Sequence, residues 1–192
     1  MANNNKPETL VVTGLVRFSY AHIFEPAAIG ESSDEKYSLS VIIPKSDKAT
    51  LTAIKNAVEK AKEIGKTKKW HGKIPTNLKT PLRDGDEDRP DDEAYANAYF
   101  FNCSSTKQPG IVDAHCKPIL NADDVYSGCY GRVSVNFYPF DSNGSKGVAA
   151  GLNNVQKLRD GERLGGGTTA ESDFGDGFGD EFDDGSDDDF LG

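Results

Sequence analysis

The sequence is short of several things, and each shortage removes a class of protein. No run of about 18 apolar residues occurs in its 192, so no helical membrane span is expected. Residues 1–6 have none of the apolar stretch a secretory leader needs. Only three cysteines occur, Cys103, Cys116 and Cys129, an odd number with no two inside a C-x-x-C. A reducing, intracellular setting is the expectation. Even with His115 beside Cys116, the three lack the short knuckle of a zinc site. They are expected to serve as small apolar groups. Walker loops, G-x-S-x-G and H-E-x-x-H are all missing. The acids from Asp84 begin like a calcium loop, but Arg89 stands where the loop needs glycine and Tyr95 where it needs glutamate. No metal, no cofactor and no catalytic set is expected, so the chain reads as a non-enzyme.

One sign of charge is also missing from one region. Residues 165–192 carry ten Asp or Glu and no Lys or Arg. Residues 1–164 are then nearly balanced, at a net of +1. A second acidic block, Asp84 to Glu93, holds seven acids and one Arg, and without it the body stands at +7. A mildly basic body of 1–164 thus precedes a strongly acidic tail of 165–192. With Phe174, Phe178, Phe182, Phe190 and Leu191 as its only large apolar groups, the tail is expected to be disordered. Gly165 to Gly167 is its expected hinge. A merely solubilising tail has no need of phenylalanine, whereas an anchor for a partner's pocket does.

Strand and helix periods organise the body. Residues 10–20 are rich in β-branched and aromatic side chains, with Val12, Val16, Phe18 and Tyr20 on one face of an expected strand. Residues 36–43 alternate, Tyr37, Leu39, Val41 and Ile43 against Lys36, Ser38 and Ser40, as a half-buried antiparallel strand does. Residues 47–64 predict a helix, capped by Ser46 or Asp47, with Leu51, Ile54, Val58, Ala61 and Ile64 on one face and Gly65 at its end. Residues 66–93 read as loop. Further strands are expected at 94–103, 110–114, 128–140 and 147–158, with Asn143-Gly144 inside a loop of more than two residues. The sum is a mainly β protein, an OB-type antiparallel barrel with one inserted α-helix.

Chemistry is left to the basic and aromatic residues. Lys60 to Arg83 holds eight basic groups and one acid, with Trp70, the sole tryptophan, inside. Lysines release counterions from phosphates, and an exposed ring stacks a base. Lys66, Lys68, Lys69, Trp70, Lys73 and Arg83 therefore form one candidate strand-gripping loop, unless Trp70 folds back into the core. The strand pairs Arg17 with Tyr20, Lys36 with Tyr37, Tyr99 with Phe101, and Arg132 with Tyr138 are candidates on a sheet face, against the alternative of core packing. A tethered polyanion would compete for such a basic groove and, once displaced, offer Asp187, Asp188, Asp189, Phe190 and the earlier phenylalanines to other proteins.

These stretches resemble a family of single-stranded DNA-binding proteins of bacteriophages. The likeness rests on Arg17-Phe18-Ser19-Tyr20 with Phe24-Glu25-Pro26, on Lys36-Tyr37 and on Ile43-Pro44-Lys45. It continues through Pro81 to Asp86, Gly151 to Gln156 and Asp160-Gly161-Glu162. The resemblance implies an OB-fold and sequence-independent coating of single-stranded DNA in phage replication or recombination, in the host cytoplasm. Replication or recombination proteins would be the tail's partners. Two other readings are an RNA-binding OB module and a phage assembly protein that binds no DNA.

Overall fold

Alternation along Glu35–Pro44 builds a strand with two unlike faces. Leu39, Val41 and Ile43 are buried on one; Lys36, Ser38 and Ser40 occupy the other. The computed structural model describes residues 7–28, 34–142 and 144–164, and this strand is one of eight among them. In chain order they are β1 (Leu10–Val12), β2 (Val16–Ala28), β3 (Glu35–Pro44), β4 (Arg83–Asp84), β5 (Ala98–Ser105), β6 (Gly110–Val112), β7 (Tyr130–Ser142) and β8 (Ser145–Arg159). Helix α1 (Lys48–Lys68) follows β3, and one helical turn, α2 (Gly85–Asp88), follows β4. The acidic tail and its glycine hinge lie outside the described residues.

Five strands close a ring. β2 pairs with β3, β3 with β5, β5 with β8, β8 with β7, and β7 with β2. This is the OB-type barrel that the strand pattern predicts. One difference follows from parity. Neighbours in a ring of five cannot all run antiparallel, so one pair has to be parallel, and it is β5 with β8. β1 extends the sheet from β7, β4 pairs with β5, and β6 joins β8, also in parallel.

The barrel is filled by Phe18, Val41, Ile43, Phe101, Val133, Val135 and Phe137, all at 0–1% exposure. Each such side chain contributes about 1.5–3 kcal/mol by leaving water. Helix α1 packs on β7, β1 and β8 with Leu51, Ile54, Ala57, Val58 and Ala61 buried. Its first turn is capped as expected, the Thr50 amide donating to Asp47 Oδ1 at 3.1 Å. Its end is not where glycine suggested. Gly65 lies inside the helix, because a Cβ there would sit 2.7 Å from the Trp70 ring and from Pro139. This glycine admits a close neighbour and does not stop the helix.

Three further local expectations change. The strand expected over 10–20 breaks at Thr13–Leu15, where the Gly14 amide donates to Thr50 Oγ1 at 2.9 Å. A side chain at Gly14 would come within 2.8 Å of Asp47 Oδ2, so strand and helix cap meet at a residue that has to be small. The β7–β8 connection is tighter than expected, since Ser142 pairs with Ser145 and only two residues remain between them. The loop expected over 66–93 contains the end of α1, β4 and α2, and a 3-10 turn, Glu93–Tyr95, begins at its last residue.

Candidate nucleic-acid interface

A change of phase in β2 creates the site. Val16 and Phe18 point into the barrel, and the same period would send Tyr20 and His22 after them. Instead the pairing with β3 slips between Ser19 and His22, with Tyr20 in the left-handed region at φ 45°. This β-bulge inserts one residue. Ile23 then takes the inward place at 1% exposure, while Tyr20 stands 54% exposed. Tyr20 therefore does not share the face of Val16 and Phe18, contrary to the simple alternation.

The outer face beyond the bulge is small and polar. Ser19 pairs across the sheet with Ser40 and on to Asn102, and His22 with Ser38 and on to Ser104. Lys36 continues the same row of β3. Over this floor lies a cleft of about 430 Å³, rimmed by Tyr20, His22 and Arg89. No carboxylate is among its described lining residues.

Arg89 is held in place by the acidic block. Its guanidinium carbon lies 5.4 Å from the Tyr20 ring, 4.9 Å from Tyr95 and 5.4 Å from Phe100, and its Nη1 donates to Tyr20 Oη at 3.4 Å. Tyr95 is fully buried, packs edge-on to Phe100 and exchanges a hydrogen bond with Ser40 Oγ at 3.1 Å. The segment from Asp84 to Ala98 thus forms a strap across the outer sheet face. Lys45 ties it down through Asp84 at 2.9 Å and Asp86 at 2.8 Å. The Lys45 ammonium, aided by the Asn97 amide, holds the Asp86 carboxyl below the usual carboxylate range. In turn both carboxylates raise Lys45, which stays charged. The acids read as a charged loop are a structural clip.

The sequence candidates divide sharply. Tyr20 and Lys36 share the outer face of β2–β3. Arg17 lies further along β2, with Nε donating to Gly128 O at 3.0 Å and Nη2 to Glu162 O at 2.8 Å. Tyr37 is in the inward row of β3, with Leu39. Tyr99 lies on the helix side of β5, its ring 5.2 Å from the Lys45 ammonium and 5.9 Å from that of Lys55. Arg83 sits on β4 near Asp88 at 3.9 Å. Arg132 and Tyr138 are on the outside of β7, Arg132 donating to Thr13 O at 2.8 Å.

Two aromatic candidates are overturned outright. Phe101 is at 0% exposure in the barrel. Trp70 is at 3%, packed against Gly65, with Nε1 donating to Phe140 O at 3.2 Å, so it offers no face to a base. Lys66, Lys68, Lys69 and Lys73 are exposed around it, at the β7–β8 hairpin, and none lines the cleft. Sequence reasoning missed His22, Arg89, Asn102 and Ser104. The Lys36-Ser38-Ser40 row was the available signal for the floor, and the lone Arg among seven acids was the signal for Arg89.

The thiols conform to the expectation of apolar roles where they are buried. Burial pushes the Cys103 thiol up strongly and also raises Cys129. Cys116 is exposed instead, in a turn at φ 60°. Among the described residues no helix is long and apolar enough to cross a membrane, and no group of His, Cys, Asp and Glu is placed to hold a metal.

A closed five-stranded barrel, with Tyr20 and Arg89 at a cleft on one outer face, defines an OB-type protein. The model of a family described as Enterobacter phage Enc34, ssDNA-binding protein, matches residues 9–191, and the chain belongs to that family. A protein designated p50, from Acyrthosiphon pisum secondary endosymbiont phage 1, is 33% identical over 172 residues, 84% of this chain and 90% of its own. Two solved structures share the fold. The single-stranded DNA-binding protein of bacteriophage Enc34 in complex with ssDNA has a TM-score of 0.73 at 22% identity, over 83% of this chain and 91% of that one. The bacteriophage T7 single-stranded DNA-binding protein gp2.5 has a TM-score of 0.58 at 17% identity, over 86% and 93%.

Proposed function

We propose that the chain binds single-stranded DNA without regard to sequence, laying it in the cleft over β2, β3 and β5. The observation that carries this is Tyr20, a half-exposed ring turned outward by a bulge and backed by Arg89 above a floor of small polar groups. A base stacks on the ring, and Arg89 and Lys36 meet phosphates. The small floor leaves room for the sugar backbone. Family membership and the DNA complex of the Enc34 relative support the reading.

In a phage-infected cell such a protein would coat strands exposed during replication or recombination, as a non-enzyme of the host cytoplasm. Residues 165–192 would act as an internal competitor for the groove. Phe174, Phe178, Phe182 and Phe190, with Asp187 to Asp189, would recruit replication or recombination proteins. Deleting 165–192 is then expected to tighten DNA binding, and unchanged or weaker binding would overturn the competition.

The central test titrates the full chain with labelled oligo-dT and with duplex at two ionic strengths. Tight, salt-sensitive binding to oligo-dT over duplex is expected. Tyr20→Ala should weaken it about tenfold to a hundredfold, in line with about 1–3 kcal/mol per stacked base. Equal affinity in the folded variant would remove the cleft from consideration. A chain that shifts no oligonucleotide at low salt would end the functional reading, and preference for a matched RNA would redirect it.

A further inference from the structure

A second cleft, of about 320 Å³, lies on the other side of the strap from the first, toward the start of β2. One transverse row of the sheet builds it. Tyr130 on β7 pairs with Arg17 on β2 and with Arg159 on β8. The two guanidinium carbons lie 5.3 Å and 4.6 Å from the Tyr130 ring centroid. Arg17 has its plane fixed by the two carbonyls it serves. Leu15, 40% exposed, and Pro44 supply an apolar wall. Arg17 and Arg159 both line the cleft, and no carboxylate is among its described lining residues.

We infer that this cleft is a second single-strand subsite, taking the continuation of the same polynucleotide that occupies the first. The inference rests on the function proposed above. The composition suits that ligand and few others. Guanidinium planes, that of Arg17 held by two carbonyls, stack bases and neutralise phosphates, and an apolar wall tolerates any base. β2 connects the two places, since Tyr20 borders one cleft and Arg17 the other, with Ser19 the outward residue between. Ser19 is buried, so a polynucleotide joining the two clefts crosses over the strap and meets a ring and an arginine on either side of it.

Oligomer length separates this subsite from the first. The full chain and its Arg159→Ala variant are titrated by fluorescence anisotropy with oligo-dT of about 4 and about 12 nucleotides, within the range known for OB domains. Arg159 is exposed and, among the described residues, its side chain is not tied to a backbone carbonyl as that of Arg17 is; Arg159→Lys keeps its charge without its plane. The expected result is about a tenfold loss on the longer oligomer for Arg159→Ala, with the shorter changed less than about twofold. The salt slope on the longer oligomer falls by about 1. Arg159→Lys recovers the slope but not the full affinity. Equal losses on both lengths, or no loss on the longer, overturn the second subsite while leaving the first intact. Tyr20→Ala gives the opposite pattern, losing the short oligomer as well. Absence of binding by the parent chain at either length would sink both.

Discussion

The lysine-rich end of α1 and the cleft over β2–β3–β5 invite comparison, because the first has the denser charge and the second has the geometry. Around Trp70 the lysines are many, but the ring is buried and donates to Phe140 O. In the cleft there are fewer cations, yet the Tyr20 ring is exposed and Arg89 is clipped against it. Charge attracts a polyanion from any direction, whereas a ring held at the surface gives it a place to stop. A binding site needs the second more than the first.

The comparison is broken most severely at Trp70. Trp70→Ala should cost about 3–5 kcal/mol of stability, read by denaturant unfolding, because it empties the space between Gly65 and Pro139. The fraction that remains folded should bind oligo-dT as the parent does. Specific loss of binding with stability intact would restore the tryptophan to the interface. Arg89→Ala acts on the other side. It frees Tyr20 and uncovers Tyr95 and Phe100, and about a tenfold loss of oligo-dT affinity is expected in a titration, with the fold retained.

The clip that holds Arg89 is sharpened by acid. Asp86 is held below the usual range when folded, so its contribution is present above the unfolded value, about 4, and is lost as pH falls through the lower folded value. Asp86→Asn should melt earlier than the parent at neutral pH, and the gap should close in acid. A gap independent of pH would assign the clip to packing alone. The smallest effect is expected for Lys66→Gln, Lys68→Gln and Lys69→Gln combined. The salt slope of oligo-dT binding should change by less than about 1, since these lysines are off the proposed path of the strand. A fall of about 3 would place DNA across the helix end.

Much of the scaffold was legible because its determinants are local. The alternation of 36–43, the apolar stripe from Leu51 to Ala61 and the Asp47 cap each act within a few residues, and each is found as expected. The site was less legible because it is assembled at long range. Lys45 reaches Asp86 across 41 positions, and Tyr20 meets Arg89 across 69. A local reading sees only a charged loop there. Gly65 misled for a related reason, since the ring and proline that require it smallest come from outside its own turn. The bulge left no period to find, because one inserted residue looks like ordinary sequence.

That insertion has a consequence for how the gene can change. Removing a single residue at Tyr20 or Ala21 would restore unbroken alternation from Val16 onward. His22 would still face Ser38 and Ile23 would stay inside, because the residue lost is the unpaired extra one, and only the outward stance of position 20 would disappear. Substitutions around the cleft exchange one side chain at a time, whereas a three-nucleotide deletion here would erase the ring's perch and leave the rest of the strand in place.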